Sequence, residues 1–157
     1  MPPPRITSEE KRLDKLMYDL RNAVDDADLG LQHVFSSHLV LAGAGHVEKS
    51  VINILSEYGR THGNEKMRRF VERTVSRHNS LNCDKIKTVT DQFDPKWWPE
   101  IMEASSETER DAVDSLKALR DRIAHGHENG TGFSLVEEYC KKSKSFVRKL
   151  SQVILGY

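Results

Sequence analysis

The chain contains the stretch Leu119-Arg120-Asp121-Arg122-Ile123-Ala124-His125-Gly126. This stretch ends a segment whose first residues, Ser106 and Glu109, have the spacing of a capping box. The segment carries an apolar stripe at helical spacing, formed by Ala112, Val113, Leu116, Leu119 and Ile123. Gly126 is the residue type that readily ends a helix in the left-handed conformation. The sequence therefore predicts a helix that ends close to His125.

Apolar residues recur every three or four positions along the rest of the chain as well, and no alternating strand pattern interrupts them. The pattern predicts a first helix that starts at a Thr7–Glu10 capping box, and a long second helix over about 31–58. A basic helix over about 65–77 follows, and then a short helix opened by Asn82 or Asp84. The last helix is opened by Ser134 with Glu137. We predict an all-α bundle with two long core helices and several shorter ones.

Particular residues of these helices predict how closely neighbouring helices pack, where one helix ends and which residues face inward. The small residues of Ala42-Gly43-Ala44-Gly45 predict that another helix packs very closely against the long helix, because glycine otherwise destabilises a helix interior by about 0.8–1 kcal/mol relative to alanine. Gly59 is a plausible end for that helix. In the basic helix, the residues predicted to face inward are Met67, Phe70, Val71 and Val75.

Length and composition bound the class of protein. A chain of 157 residues suits one domain, because this length buries about two-thirds of the surface that the unfolded chain exposes. We assign residues 1–7, with their three consecutive prolines, to a flexible tail and residues 8–157 to a single helical domain. Lysine plus arginine equals aspartate plus glutamate at 24 each, so any nucleic-acid site must be a local patch.

Two cysteines are too few for a disulfide framework, and they lack the spacing of metal ligands. No apolar run is long enough to span a bilayer. We therefore expect a cytoplasmic protein that binds neither a metal nor a cofactor and does not associate with a membrane.

Arg120 and His125 are the residues whose chemistry stands out. On an ideal helix they lie about 140° apart, so a shared site requires either that the helix opens near His125 or that two copies of the motif meet across a dimer. Asp121 is four residues before His125, a spacing at which a carboxylate can orient the imidazole and raise its pKa. Such a histidine could exchange protons with an RNA 2′-hydroxyl, while Arg120 stabilised the charge on phosphorus.

The same stretch also has a purely structural explanation. Positive residues near the C-terminus of a helix are favoured by the helix dipole, and histidine followed by glycine is an ordinary way to end a helix. The spacing by itself favours this explanation over a catalytic site.

Arginines on the basic helix could bind RNA phosphates, and they are Arg68, Arg69, Arg73 and Arg77. Glu65 and Glu72 lie among them, which favours a solvated, salt-bridged face. Five cations of the last helix raise the same question, and they are Lys141, Lys142, Lys144, Arg148 and Lys149.

The stretch Leu119–Gly126 resembles the arginine-to-histidine motif of HEPN domains, and the chain as a whole resembles the RiboL-PSP-HEPN branch over residues 31–154. The likeness includes the small-residue-rich second helix leading to Glu48, the segments Arg69-Phe70-Val71-Glu72 and Gln92-Phe93-Asp94, Lys85-Ile86, Trp97, and Val136-Glu137-Glu138-Tyr139.

This resemblance implies a helical bundle that dimerises and brings two motifs into a shared cleft. It implies that Arg120 and His125 are catalytic in a metal-independent endoribonuclease that leaves 2′,3′-cyclic phosphate ends, with Asp121 as the supporting polar residue. Glu48, Arg122 and His127 are further supporting candidates. The expected setting is a toxin–antitoxin or phage-defence system with RNA and an antitoxin as partners. The alternative is an inactive HEPN module that binds RNA or protein, since aspartate stands where asparagine is common.

Overall fold

The computed structural model describes residues 4–78 and 80–157, and within these ranges the secondary structure is entirely helical. Seven helices follow in order: α1 Pro4–Val24, α2 Leu29–His62, α3 Glu65–Val75, α4 Cys83–Asp91, α5 Trp97–Ala104, α6 Glu107–Ala124 and α7 Phe133–Leu155. The prediction of an all-α fold is confirmed. No helix in the described part of the chain combines the length and the apolar character that crossing a membrane requires.

Helix α2 is the central element. It contains 34 residues and packs against α1, α3, α6 and α7. Asp28 caps its first turn, because one carboxylate oxygen accepts the backbone N–H of Leu31 at 2.8 Å. The next longest helix, α7 with 23 residues, also packs against α1, α5 and α6. Buried side chains such as Leu39, Ile54 and Phe146 fill the space between these helices.

The glycines of α2 show where other helices come closest. A Cβ atom at Gly43 would lie 2.7 Å from the Sγ atom of Cys140 and 3.2 Å from a methyl carbon of Leu116. At Gly59 it would lie 3.1 Å from a methyl carbon of Val71, whereas at Gly45 nothing comes within 4 Å. The predicted close approach is therefore correct at Gly43 but not at Gly45.

Three helix ends differ from the sequence-based expectation. Helix α1 begins at Pro4 rather than after Thr7, because proline fits a first turn and the side chain of Ile6 is buried. Residues 4–7 are therefore not a flexible tail, and residues 1–3 lie outside the described residues. Helix α2 continues past Gly59 to His62, since α3 packs on Gly59. Helix α7 has Gly132 as its N-cap without a side-chain cap.

Ser134 and Glu137, which the sequence predicts as a capping pair, instead bind α1. The guanidinium of Arg21 donates to one oxygen of Glu137 at 2.9 Å and to the hydroxyl of Ser134 at 3.2 Å. This contact joins the first and last helices through charge-assisted hydrogen bonds.

The orientation of α3 also differs from the expectation. Val71 and Val75 are buried, as predicted, but Met67 is 47% exposed and Phe70 is 64% exposed. Val71 and Val75 are four residues apart and share the face that packs on α2, whereas Phe70 is one residue earlier and is rotated by about 100°. The prediction that Phe70 faces the core is wrong.

His46 is a buried histidine between α1 and α2. Its Nδ1 atom has no hydrogen-bond partner among the described residues, and its Nε2 atom lies 3.5 Å from the hydroxyl of Ser50. Burial lowers the pKa of His46 to about 4, although the nearby carboxylate of Glu10 opposes this shift. The imidazole is therefore neutral at neutral pH.

Gly43→Ala should destabilise the protein, whereas Gly45→Ala should not. We expect Gly43→Ala to lower the free energy of unfolding by about 1–3 kcal/mol, because the new methyl group must displace Cys140 and Leu116 inside the core. Gly45→Ala should raise it by up to about 1 kcal/mol, since alanine is the better helix former. Urea denaturation measures both, and equal effects at the two positions would contradict the close packing at Gly43.

The stability of the protein should depend on His46 between pH 6.5 and about 4. The unfolded chain takes up a proton at His46 near its ordinary pKa of 6.5, whereas the folded chain resists protonation until about pH 4. The free energy of unfolding should thus fall by up to about 3 kcal/mol across this window, and less in His46→Gln. Urea denaturation at several pH values measures this, and parallel curves for the two proteins would argue against a neutral buried imidazole.

Candidate functional site at the end of α6

Helix α6 carries the arginine-to-histidine motif, and its first turn is firmly anchored. Ser106 and Glu109 form the predicted capping box, in which each side chain accepts a backbone N–H of the other residue. Glu109 also accepts hydrogen bonds from Lys149 at 2.7 Å and Ser145 at 2.6 Å on α7. Burial opposes the ionisation of Glu109, but these hydrogen bonds outweigh it and lower its pKa to about 2. The orientation of α6 is thus fixed at its N-terminus.

The other end of α6 closes immediately after the motif. Gly126 has a φ of 78°, its N–H donates to the carbonyl of Ile123 at 3.0 Å, and the N–H of His127 donates to the carbonyl of Arg122 at 2.9 Å. These two bonds form a Schellman motif, so the predicted glycine stop is confirmed. His125 is the C-cap residue, and both His125 and His127 are exposed.

The helix does not open between Arg120 and His125. The N–H of His125 still donates to the carbonyl of Asp121 at 3.0 Å, which is the ordinary helical hydrogen bond. The two side chains therefore remain about 140° apart around the axis of α6. Arg120 is half-buried. The opening of the helix, one of the two ways in which one site could use both residues, is therefore not observed.

The carboxylate of Asp121 has partners other than the imidazole. One oxygen accepts the hydroxyl of Ser80 at 3.0 Å, and the other accepts the ammonium group of Lys117. The hydrogen bond from Lys117 is the main reason that the pKa of Asp121 is lowered, and the charge of Arg120 acts in the same direction. The sequence-based expectation that Asp121 orients His125 is therefore not what the structure shows. Asp121 is a fixed anion with a compensating cation.

Ser80 links α6 to α2 just before α4. Its φ of 58° is left-handed, a conformation that costs a residue with a side chain about 1–2 kcal/mol. All three of its polar groups are engaged: the N–H donates to Glu48 at 3.2 Å, the hydroxyl donates to Asp121, and the carbonyl accepts from Lys85 at 3.4 Å. Glu48 and Asp121, both candidates from the sequence, are thus brought together through Ser80.

The loop after the motif is attached to the first half of α2. Asn129 is buried, and its side-chain amide donates to the hydroxyl of Ser37 at 2.7 Å. The hydroxyl of Ser36 donates to the carbonyl of Thr131 at 2.7 Å. Arg122, another supporting candidate, donates to the carbonyl of Glu128 at 3.2 Å. The loop that carries His127 therefore has a defined position beside α2.

Sequence reasoning missed Ser80, Lys117 and Asn129. Lys117 precedes Asp121 by four residues, so helical spacing could have revealed this ion pair. Ser80 and Asn129 contact partners 41 and 92 residues away, and no local pattern identifies such partners.

The four arginines of the basic segment have different surroundings. Arg68 is bound by Glu65 and Glu72 at 2.6 and 2.5 Å, as expected for a salt-bridged face. Arg69 is 4.0 Å from Glu65. Arg73 and Arg77 form no ion pair with any residue in the ranges 4–78 and 80–157, and both are exposed. The segment is therefore only partly neutralised.

In the part of the chain that the structure describes, no cluster of three or more histidine, cysteine, aspartate or glutamate side chains could hold a metal ion. Cys83 and Cys140 are both buried and free, and burial raises the pKa of each thiol to about 12. Neither cysteine is a candidate nucleophile.

The model of one protein family matches the chain over residues 5–156, and that family is described as RiboL-PSP-HEPN. With its helices and its motif at the end of α6, the chain is a HEPN-type domain. It belongs to the RiboL-PSP-HEPN family, which confirms the resemblance found in the sequence. Comparison with curated proteins and with solved structures found no match. The HEPN type of domain suggests a ribonuclease or an RNA-binding role.

Two substitutions at Ser80 should separate its hydrogen bond from its backbone conformation. Ser80→Ala loses the hydroxyl that binds Asp121 but keeps the left-handed backbone, and we expect it to lower the free energy of unfolding by about 2 kcal/mol. Ser80→Gly loses the same bond but adopts a positive φ freely, so its loss should be about 1 kcal/mol smaller. Equal losses in urea denaturation would show that the left-handed conformation carries no cost.

Proposed function

We propose that this protein is a metal-independent endoribonuclease in which Arg120 and His125 are the catalytic residues. The observation that carries the proposal is the setting of the motif. His125 is exposed at the closed end of α6, and Arg120 lies five residues earlier beside an anchored carboxylate. An exposed imidazole can reach a bound RNA strand, and a guanidinium matches the geometry of its phosphate.

The proposed reaction is the attack of the RNA 2′-hydroxyl on the adjacent phosphorus. The 2′-oxygen loses its proton as it forms a bond to phosphorus, the bond to the 5′-oxygen breaks, and that oxygen takes up a proton. His125 would accept the first proton or supply the second, and Arg120 would stabilise the negative charge on the phosphoryl oxygens. The products are a 2′,3′-cyclic phosphate and a 5′-hydroxyl.

Asp121 would support Arg120 rather than His125 in this scheme. An additional carboxylate beside a phosphate site is unfavourable, but Lys117 compensates its charge directly. Glu48 would act indirectly. It accepts the backbone N–H of Ser80, and the hydroxyl of Ser80 binds Asp121. Arg122 and His127 would shape the loop beside His125.

We also propose that two chains form a homodimer in which the motifs meet. On α2, Leu31, Val34 and Leu41 form an exposed apolar stripe at helical spacing. Val34 and Leu41 line an open groove together with Glu128, which belongs to the loop after the motif. An apolar surface of this kind on a helix is suited to a second copy, and it would bring the two copies of α6 close to each other.

The setting that we propose is cytoplasmic, in a toxin–antitoxin or phage-defence system whose antitoxin or companion protein restrains the activity. The second candidate function is a catalytically inactive HEPN module that binds RNA or assembles with protein. The engagement of Asp121 by Lys117 and Ser80, rather than by the imidazole, is the observation that favours this second candidate.

RNA cleavage in EDTA should depend on both motif residues. We expect His125→Ala to lower the cleavage rate of labelled total RNA and tRNA by about 10²- to 10⁴-fold, and Arg120→Ala by about 10²- to 10³-fold. Arg12→Ala on α1 and His62→Ala on α2 are matched controls, because they remove the same residue types at exposed positions. Both variants should cleave like wild type. Cleavage that survives both motif substitutions would refute the site. No cleavage by any of the proteins, even with a companion protein added, would favour the inactive module.

Mixing the two inactive variants tests whether the sites are shared between chains. If Arg120 of one copy works with His125 of the other, a mixed dimer of Arg120→Ala and His125→Ala chains contains one intact pair and regains part of the activity. If each site uses residues of a single chain, the mixture remains inactive.

A further inference from the structure

Helix α3 exposes an unusual combination of residues on its solvent side. Lys66, Phe70 and Arg73 lie within about 60° of arc around the helix, and Arg77 follows on the same side in the turn after it. All four are exposed, and the residue Phe70 as a whole is 64% exposed. We call these four residues the α3 stripe. It consists of an aromatic ring with cations on both sides of it along the helix.

The acidic residues of α3 do not neutralise this stripe. Glu65 and Glu72 lie more than about 100° around the helix from its centre, and both bind Arg68 there. Lys66, Arg73 and Arg77 form no ion pair with any residue that the structure describes. The stripe is therefore a local positive surface on a chain whose formal net charge is zero.

The cations of α7 show the opposite arrangement. Lys141 and Lys142 are bound by Glu137 and Glu138, Lys149 is bound by Glu109, and Lys144 and Arg148 are bound by acidic residues of α1. Both segments carry several cations, but only on α7 is each of them paired with a carboxylate. This difference makes α7 a structural face and provides a matched control for α3.

We propose that the α3 stripe binds single-stranded RNA, with a base stacked on Phe70 and phosphates bound by Lys66, Arg73 and Arg77. Cations that follow the backbone and an exposed aromatic ring that stacks on a base are the features by which proteins hold single strands. A duplex would cover its bases and leave Phe70 without a partner. The choice of RNA rests on the proposed function, and the charge of the stripe is complementary to a phosphate backbone.

The position of the stripe connects it to the motif. Arg77 is three residues before Ser80, and Ser80 binds both Asp121 on α6 and Glu48 on α2. The C-terminal end of α3 therefore leads to the residues beside Arg120. A strand held along α3 would approach the candidate site from this end, so the stripe would act in substrate binding rather than in the chemical step.

Binding of a fluorescent 12-mer of uridine with 2′-O-methyl groups tests this directly, because the modified RNA cannot be cleaved by its own 2′-oxygen. Arg73→Ala/Arg77→Ala should raise the Kd about tenfold and reduce the slope of log K against log salt by about 1.4, which corresponds to two lost phosphate contacts on a single strand. Lys141→Ala/Lys142→Ala removes the same charge from α7 and should change neither quantity.

Substitutions of Phe70 test the stacking. Phe70→Leu keeps an apolar side chain but removes the ring, and it should raise the Kd by about five- to hundredfold, whereas Phe70→Trp should bind at least as tightly as wild type. Phe70, Arg73, Arg77 and Lys141 are exposed, and Lys142 is half-buried in a pair with Glu138, so thermal unfolding of each variant should stay close to that of wild type. A duplex of the same length should bind without sensitivity to Phe70.

The outcomes separate this inference from the proposed function. If the α3 and α7 double variants weaken binding equally, if Phe70→Leu has no effect, or if wild type does not bind the single strand, the inference is wrong. If binding follows the α3 stripe but wild type cleaves no unmodified RNA, the ribonuclease proposal fails and the inference stands. If wild type cleaves RNA and the α3 variants keep its KM, the ribonuclease proposal stands and the inference about the α3 stripe fails.

Discussion

The fold depends on the burial of one long helix against four others. Helix α2 packs on α1, α3, α6 and α7, and it can do so only because side chains are absent where its neighbours come closest. Gly43 accommodates Cys140 and Leu116, and Gly59 accommodates α3. Close packing of this kind leaves few voids, so a small displacement of one helix is transmitted to the others. The position of α6, and with it the motif, follows from the position of α2.

Around the motif, hydrogen bonds between polar side chains hold the residues that core packing alone does not fix. Ser80 adopts a left-handed backbone conformation because Glu48 and Asp121 hold it from two different helices. Asn129 and the hydroxyl of Ser36 attach the loop after the motif to α2. Arg120 therefore lies among residues that are held by hydrogen bonds, whereas His125 is exposed to solvent. Rigid support of this kind is what a site requires if its reacting groups are to be held in place before substrate arrives.

The two basic helices show that the number of cations in a segment does not tell how much positive charge its surface exposes. Both α3 and α7 carry several cations, and on α7 each described cation has a carboxylate within reach on α1, α6 or α7 itself. On α3 the carboxylates bind Arg68, with Glu65 also 4.0 Å from Arg69, and Lys66 and Arg73 face solvent beside Phe70. The effect of a charge depends on its neighbours, and for Lys144, Arg148 and Lys149 these neighbours lie on α1 and α6, far away in sequence.

The amino-acid sequence by itself determined the helical class, the capping box of α6 and the glycine stop after His125. It also carried the family resemblance, because these features depend on spacing within one or two turns of a helix. The tertiary structure decided what local spacing cannot specify: that Ile6 is part of the core, that Phe70 faces solvent, and that α2 continues past Gly59. It also decided that Ser80 is the second partner of Asp121, beside the local ion pair with Lys117. Which partner a polar side chain takes depends on all the groups within a few ångströms, and folding brings most of those groups from remote parts of the chain.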